Sequence, residues 1–254
     1  MKAVMLPSGH GPQGTSQFLT SFVVNDSLAI DAGSLGFQEN LDFQRGVRHV
    51  FLTHAHVDHI ASLPIFLESV YSPGVGPPTI YSLPETWDAL HRHLFNDILY
   101  PDFIRISAQG HPILEWQELV PNKTVTAAGL RLTPISLHHT VPTVAYTIED
   151  NQTAIAFVTD TGPSQDIWRA CTKLKNLRAV FLECAFPSSL HSLANRAGHM
   201  CTDLIPAELA KLASDTPVYM IHIKPHHRPS IIQELGQFSG LNLKICEPGK
   251  TYEF

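Results

Sequence analysis

Long apolar stretches are absent from this 254-residue sequence, in which no window approaches the roughly 20 apolar residues of a membrane-spanning helix. The first residues also lack the apolar core of a signal peptide. Positive charge is scarce, with 17 Lys and Arg against 23 Asp and Glu, which argues against a broad basic surface for duplex nucleic acid. We therefore expect a cytoplasmic protein that contacts neither a membrane nor duplex nucleic acid.

Cysteine is also sparse, and its spacing is uninformative. The four cysteines are far apart and form no C-x-x-C pair, so we expect neither a zinc knuckle nor a redox motif: Cys171, Cys184, Cys201 and Cys246. In a reducing cytosol they should be small buried side chains. Histidine is frequent instead, with 15 residues. Because imidazole is the commonest metal ligand and titrates near neutral pH, this composition indicates metal or acid–base chemistry.

The apolar pattern predicts a layered α/β architecture, in which short β-rich runs alternate with helical ones. No repeat, low-complexity tract or linker divides the chain, so we expect a single domain over residues 1–254. Strands are predicted at 18–24, 28–31, 49–53, 79–82, 124–137, 144–149, 154–159, 179–182, 218–223 and 243–245. Helices are predicted at 57–70, 85–96, 164–174, 202–213 and 229–238.

One motif carries most of the chemical information. An apolar strand is expected to end at Thr53, and four potential metal ligands follow within six residues: His54, His56, Asp58 and His59. The first two converge from an extended segment, whereas the last two lie on the first turn of the next helix. This arrangement offers nitrogen to one ion and mixed nitrogen and oxygen to a second, which are ligand types that zinc accepts. Two neighbouring ions can share a water molecule and hold the oxygens of a phosphoester.

At these residues the sequence resembles the metallo-β-lactamase superfamily, and the resemblance extends over essentially the whole chain. It implies a four-layer αββα sandwich with a dinuclear site at one edge of its two sheets. Three later segments resemble the remaining ligand motifs of the family, each after an apolar strand, and they contain His139, Asp160 and His222. Alignment on Pro142 favours His139 over its neighbour His138.

The resemblance also implies how the ligands are divided between two divalent ions, with zinc expected first and manganese or iron as alternatives. The first ion would take His54, His56 and His139. The second would take Asp58, His59 and His222. Asp160 and a hydroxide would lie between the two ions.

A further pair of residues resembles the phosphodiesterase branch of the superfamily. There, a Glu orients a His that protonates the leaving oxygen, and the matching residues are Glu183 and His199. An alkoxide leaving group has a high pKa and therefore needs a proton donor. The catalytic residues implied by the resemblance are Asp58, Glu183 and His199; the alternative is that Glu183 is a surface acid and His199 a helix-entry residue.

Within that branch, the sequence departs from the ribonuclease Z-type tRNA endonucleases. Only 20 residues separate His139 from Asp160, enough for a hairpin but not for the long arm that grips tRNA. The sequence is more similar to the class II 3′,5′-cyclic-nucleotide phosphodiesterases, through residues 54–63 and through 94–103. The second segment implies substrate contacts from Asn96, Asp97, Tyr100 and Phe103, although a helix end would show the same residues for packing alone.

These resemblances imply a metal-dependent phosphodiesterase. A hydroxide between two ions would attack the phosphorus of cAMP or cGMP, and His199 would protonate the departing 3′-oxygen, giving a nucleoside 5′-monophosphate. One alternative is a broader phosphodiesterase that acts on cyclic or linear dinucleotides. Another is a metal-binding regulatory scaffold that has lost catalysis. Relatives in the family are often dimers, so a homodimer is also expected.

Overall fold

The computed structural model describes residues 1–9, 17–212 and 215–254. Its strands are β1 (Lys2–Met5), β2 (Phe22–Val24), β3 (Leu28–Ile30), β4 (His49–Phe51), β5 (Thr79–Ser82), β6 (Glu115–Glu118), β7 (Val125–Ala127), β8 (Leu130–Leu137), β9 (Thr143–Glu149), β10 (Ala154–Val158), β11 (Leu177–Glu183), β12 (Val218–Ile221), β13 (Leu243–Ile245) and β14 (Thr251–Glu253). They form two seven-stranded sheets.

The two sheets share a similar plan, half parallel and half antiparallel. The first has the order β14-β1-β2-β3-β4-β5-β6, with β3 to β6 parallel and the other neighbours antiparallel. The second has the order β13-β12-β11-β10-β9-β8-β7, with β10 to β13 parallel and the rest antiparallel. Parallel strands end at the same edge of their sheet, so residues that follow them come together there.

Short helices connect the strands. They are α1 (Leu41–Gly46), α2 (Val57–Ile60), α3 (Leu63–Val70), α4 (Pro84–His93), α5 (Phe103–Ala108), α6 (Asp166–Cys171), α7 (His191–Ala197), α8 (Ile205–Leu209) and α9 (Arg228–Leu235). Single 3₁₀ turns occur at Leu35–Phe37, Ser188–Leu190, Thr202–Leu204 and Pro225–His227. No helix in the described part of the chain is both long and apolar enough to cross a membrane.

Apolar clusters fill the spaces between four layers. Along β10, Ile155 and Phe157 point into the cluster between the two sheets, whereas Ala156 and Val158 point into the cluster that α6, α8 and α9 cover. On the other side of the molecule, Phe66 of α3 packs in a cluster against the outer face of the first sheet. The order of layers is therefore helix, sheet, sheet, helix, which confirms the expected αββα sandwich. The four cysteines are free and buried, also as expected.

Two predicted elements are divided in the structure. The helix predicted at 57–70 is split into α2 and α3, because Pro64 has no N–H to donate and therefore starts a new helix. The strand predicted at 124–137 is the hairpin of β7 and β8. It turns at Ala128 and Gly129, whose φ angles of 49° and 76° match the positive values of a type I′ turn.

Some other predicted bounds were too long, and several short elements were not predicted. The strand predicted at 18–24 begins only at Phe22, and the helix predicted at 202–213 is a 3₁₀ turn followed by α8. Residue 213 lies outside the described residues. The missed elements are β1, β6, β14, α1, α5 and α7, each of three to seven residues, which is too short to show a period.

Candidate active site

Ligand-type side chains meet at the edge where the strands end. His54 follows β4, and Asp58 and His59 lie on α2 just beyond. From the second sheet, His139 follows β8, Asp160 follows β10 and His222 follows β12. Because β8 runs parallel to β10, its end reaches the same edge as the ends of the parallel strands.

These residues form two sets, and ligand atoms within each set lie within 4.8 Å of one another. The first set is His54, His56, His139 and Asp160. The second set is Asp58, His59, Asp160 and His222. Asp160 belongs to both sets, so one carboxylate lies between two clusters of ligands.

Ligand atoms of neighbouring side chains within each set lie a few ångströms apart. In the first set, His139 Nε2 lies 3.2 Å from His56 Nδ1, and His54 Nε2 lies 3.7 Å from Asp160 Oδ2. In the second, His59 Nε2 lies 3.2 Å from Asp160 Oδ1, and His222 Nε2 lies 3.7 Å from one carboxylate oxygen of Asp58.

The clusters also contain buried polar atoms that hydrogen bonds do not satisfy. Across residues 1–9, 17–212 and 215–254, those without a hydrogen-bond partner include His54 Nε2, His59 Nε2, His222 Nε2 and Asp160 Oδ1. Leaving such atoms unpaired in a buried site costs free energy. Nitrogen and carboxylate oxygen are ligands that divalent transition metals accept, so the donor set fits metal ions.

Protonation states in the chain without ions agree with this assignment. Burial lowers the pKa of His54, His56 and His139 below the usual value, and it lowers the pKa of His222 to about 3. These imidazoles are therefore neutral at pH 7 and keep a nitrogen lone pair for a metal ion.

His59 and Asp160 behave differently because they face each other. Burial lowers the pKa of His59, but the carboxylates of Asp160 and Asp31 outweigh burial and hold that pKa well above its usual value. Burial likewise raises the pKa of Asp160, and the nearby His222 and His59 outweigh it, holding that pKa well below its usual value. An ion at the second set must therefore displace a proton from His59.

Asp31 is a site residue that the sequence analysis missed. It is fully buried, directly after β3, and its Oδ2 accepts a 2.7 Å hydrogen bond from His59 Nδ1. Thr53 donates to it from the backbone N–H at 2.8 Å and from Oγ1 at 2.9 Å. Thr53 Oγ1 lies 3.0 Å from His54 Nδ1 and can accept its proton, so Asp31 orients one histidine of each set. Its position at a strand end, next to Gly33, was the available signal.

The backbone of Gly198 orients the ring of His139 through its Nδ1 atom. Its carbonyl oxygen lies 2.8 Å from His139 Nδ1 and accepts that proton, which leaves Nε2 free to face His56. A Cβ at Gly198 would lie 3.0 Å from His139 Cα, and the residue has a φ of +67°, so glycine is required for both reasons. His138, in contrast, is exposed and lies against Gly162.

The segment before β2 supports the ligand from β12. Gln17 Oε1 accepts a 2.9 Å hydrogen bond from the backbone N–H of His222, and Thr20 Oγ1 lies 3.2 Å from His222 Nδ1. His222 itself has a φ of 55°, a left-handed conformation that is uncommon outside glycine. Lys224 Nζ lies 3.3 Å from Asp58 Oδ2 and adds a positive charge beside the second set.

Glu183 and His199 form a buried pair next to the shared carboxylate. His199 Nδ1 donates to Glu183 Oε1 at 2.9 Å, and Thr161 N–H donates to the same oxygen at 2.6 Å. His199 Nε2 lies 4.0 Å from Asp160 Oδ2. Burial lowers the pKa of His199, but Glu183 outweighs it and raises that pKa above the usual value, so the imidazole can carry a proton at neutral pH.

In the segment proposed for substrate contacts, residues 96–103, most of the side-chain hydrogen bonds and ring contacts are made with residues within or next to the same segment. Asn96 Oδ1 accepts from the backbone of Ile98 and Leu99, and Asp97 accepts from the guanidinium of Arg105. Tyr100 donates to Glu68, and Phe103 is buried against other aromatic rings, including Tyr100. A substrate role for Asn96, Asp97, Tyr100 and Phe103 stays a prediction.

Two ligand sets that share one carboxylate, at the edge of an αββα sandwich, define a metal-dependent hydrolase. Comparison with known proteins gives the family: the model of the β-lactamase superfamily domain matches residues 30–223, which include the seven candidate ligands. The chain belongs to this superfamily, and the resemblance found in the sequence is confirmed.

Individual relatives cover nearly the whole chain at low identity. A probable 3′,5′-cyclic-nucleotide phosphodiesterase of Yersinia pestis is 27% identical, over 93% of this chain and 84% of the relative. A 3′,5′-cyclic-nucleotide phosphodiesterase of Schizosaccharomyces pombe is 24% identical, over 92% of this chain and 77% of the relative. The crystal structure of unliganded yeast PDE1 superposes with a TM-score of 0.79 at 20% identity, covering 98% of each chain, which supports the fold.

Proposed function

We propose that this protein hydrolyses a 3′,5′-cyclic nucleotide, cAMP or cGMP, to the nucleoside 5′-monophosphate. One observation carries the proposal: a histidine paired with a buried carboxylate lies beside the residue shared by two metal-ligand sets. That pair supplies the proton which an alkoxide leaving group needs. The names of the relatives from Yersinia pestis and Schizosaccharomyces pombe support the choice of substrate.

We assign the ligands in two groups that share Asp160. The first ion is held by His54, His56 and His139, and the second by Asp58, His59 and His222. Zinc fits these nitrogen and oxygen donors best, with manganese and iron as alternatives. When bound, two such ions lower the pKa of a water molecule and neutralise charge on the phosphate.

The chain's own residues perform the proton transfer. Glu183 accepts the Nδ1 proton of His199 and so orients the ring with Nε2–H toward the clusters. As water adds its hydroxyl group to the phosphorus and releases its other proton to solvent, the bond from phosphorus to the 3′-oxygen breaks, and His199 Nε2 gives its proton to that oxygen. The phosphate stays on the 5′-oxygen. The side chain of His199 is 11% exposed, enough to meet a substrate while most of the pair is shielded from water.

Lys224 adds to the recognition of the phosphate. Its ammonium group lies beside Asp58, and its side chain is 34% exposed, so it faces both the second ligand set and the opening to solvent. A cyclic nucleotide carries one negative charge on the phosphate. A cation at this position attracts that charge.

The proposal is tested by a screen that resolves products, using protein reconstituted with zinc or manganese. The substrates are cAMP, cGMP, a cyclic dinucleotide, a linear dinucleotide and bis(p-nitrophenyl) phosphate. Formation of AMP or GMP, abolished in Asp58→Ala, supports the proposal. Turnover of dinucleotides with intact cAMP and cGMP would favour the broader phosphodiesterase. Failure on every substrate with both ions bound would favour a regulatory scaffold.

Other properties remain proposals from the sequence. The substrate is a small molecule, and neither tRNA nor duplex nucleic acid is expected as a partner. The cytoplasmic location is tested by fractionating cells that contain the protein. The homodimer is tested by sedimentation of the full chain with and without metal.

A further inference from the structure

The position of the proton donor fixes where the nucleoside must lie. If His199 protonates the 3′-oxygen, that oxygen lies within hydrogen-bond reach of Nε2. The ribose carries the 3′-oxygen, so the nucleoside extends from His199 and away from the ligand clusters. This argument rests on the proposed function, and it directs attention to the side chains just beyond His199.

Aromatic rings continue outward from His199. The ring of Phe186 lies 5.8 Å from that of His199, centroid to centroid, at an angle of 66°. The ring of His227 lies 5.8 Å from that of Phe186, centroid to centroid, at an angle of 52°. Phe186 and His227 are both partly exposed, whereas His199 is nearly buried. The three rings therefore lead from the proton donor to the surface.

The backbone holds these rings in place. Phe186 forms an isolated β-bridge with Cys201: its N–H donates to Met200 and its carbonyl accepts from Thr202, so it is tied to the segment that carries His199. His227 ends the 3₁₀ turn that follows His222 and Lys224, and its ring packs on His226 with centroids 3.7 Å apart. Neither ring needs a large movement to receive a ligand.

We propose that Phe186 and His227 form the nucleobase subsite, in which the base of the nucleotide stacks on the exposed part of the Phe186 ring. A flat base offers a π face to such rings whichever base it is, so purines of either kind are accepted. Fixed rings also lose little conformational entropy when the base binds. The subsite explains how a nucleoside is held on the leaving-group side without a charged contact.

The test measures nucleotide binding separately from turnover. Calorimetry on metal-reconstituted protein compares AMP, which carries the base, with ribose 5-phosphate, which lacks it. Phe186→Ala should weaken the binding of AMP by about 5- to 150-fold and leave that of ribose 5-phosphate unchanged. His227→Ala should show the same selectivity with a smaller loss, and Phe186→Trp should restore AMP binding. For cAMP hydrolysis, Phe186→Ala should raise KM more than it lowers kcat.

Phe254→Ala is the matched control. It removes a partly buried ring whose backbone N–H donates to the carbonyl of Met1, the residue before β1. That ring contacts Phe181 and Tyr219, with centroids 6.1 Å apart in each case. Its loss should leave the affinity for AMP unchanged, which separates a local role of Phe186 from a general effect of removing an aromatic ring.

Two results with the Phe186→Ala variant would overturn the subsite. Phe186→Ala could bind AMP as tightly as the wild type, or it could lose AMP and ribose 5-phosphate equally, which would mean a structural effect. A failure of the proposed function looks different: the wild type would hydrolyse bis(p-nitrophenyl) phosphate and leave cAMP intact. Binding of AMP would still be measurable in that case, and a wild type that does not bind AMP would overturn the subsite as well.

Discussion

Replacing Asp31 with Asn tests how the fold prepares the second ligand set. The substitution keeps the size of the side chain but exchanges one oxygen for an NH₂ group. That group cannot face the backbone N–H of Thr53, 2.8 Å from Oδ1, because two donors would then meet. It must therefore take the place of Oδ2 and donate to His59 Nδ1, which lies 2.7 Å away.

The consequence is a change of tautomer at His59. With Nδ1 as acceptor, the neutral ring carries its only proton on Nε2, which lies 3.2 Å from Asp160 Oδ1 and would donate to it. The lone pair that an ion needs is then lost. Removing an outer hydrogen-bond partner of this kind weakens metal binding by about 10- to 100-fold, or about 1.4–2.7 kcal/mol. His54 keeps its contact with Thr53, so the first ion should be affected less.

The assay is a zinc titration of the metal-free protein against a chromophoric chelator. Wild-type protein should bind two ions, and Asp31→Asn should bind the first with a smaller loss of affinity and the second about 10- to 100-fold more weakly. A thermal melt gives a second measurement, because an ion that binds only the folded state adds stability in proportion to the logarithm of its affinity. The increase in melting temperature with zinc should therefore shrink.

A surface substitution provides the control. Asp42→Asn makes the same chemical change at a side chain that is 91% exposed and pairs with Arg45 on its own helix. It should leave both titration steps and the melting curve unchanged. Tight binding of two ions by Asp31→Asn would refute the reasoning. So would loss of the first ion alone, since His59 would then not be the ligand that Asp31 controls.

Three further predictions follow from the same geometry. His199→Ala should slow cyclic-nucleotide hydrolysis by about 10²- to 10⁴-fold, keep both ions, and retain much of the activity on bis(p-nitrophenyl) phosphate, whose leaving group needs no proton; Glu183→Gln should show the same pattern more mildly, and equal losses on both substrates would contradict an acid role. His139→Ala should abolish activity and lose the first ion, whereas His138→Ala should preserve both, and the reverse result in metal analysis would move the ligand by one residue. Gly198→Ala should destabilise the fold by roughly 1–2 kcal/mol and weaken the first ion in the zinc titration, because Cβ crowds His139 in a left-handed backbone; unchanged binding would contradict this.

A feature of this site can be predicted from the sequence when the residues that form it lie close together along the chain. The ligands from His54 to His59 could be found directly, because a strand end and one helical turn fix their relative positions. The layered α/β class could be predicted for a related reason, since strand and helix patterns alternate along the chain, whereas the αββα order of the layers was implied by the resemblance to the metallo-β-lactamase superfamily. The splits at Pro64 and at Ala128 were missed because one residue interrupts an otherwise continuous apolar pattern.

The partners of the ligands were harder to find. Gly198 and His139 are 59 residues apart, and Gln17 and His222 are 205 residues apart, so no local pattern joins them. Asp31 would have been easier to predict from the sequence, because it also follows a strand that ends at the ligand edge. A carboxylate at a strand end is more often a turn former, however, and only the 2.7 Å contact with His59 shows what it does.

These outer contacts explain why the site can exist before an ion arrives. His54, His59 and His139 each have Nδ1 next to a protein oxygen, which leaves Nε2 directed at the clusters. The three oxygens belong to Thr53, Asp31 and Gly198, at 3.0, 2.7 and 2.8 Å. Each comes from a different strand end or loop, and the packing of the two sheets brings those segments to one edge. The core therefore sets the tautomers, and a substitution in an outer contact should lower metal affinity well before it unfolds the chain.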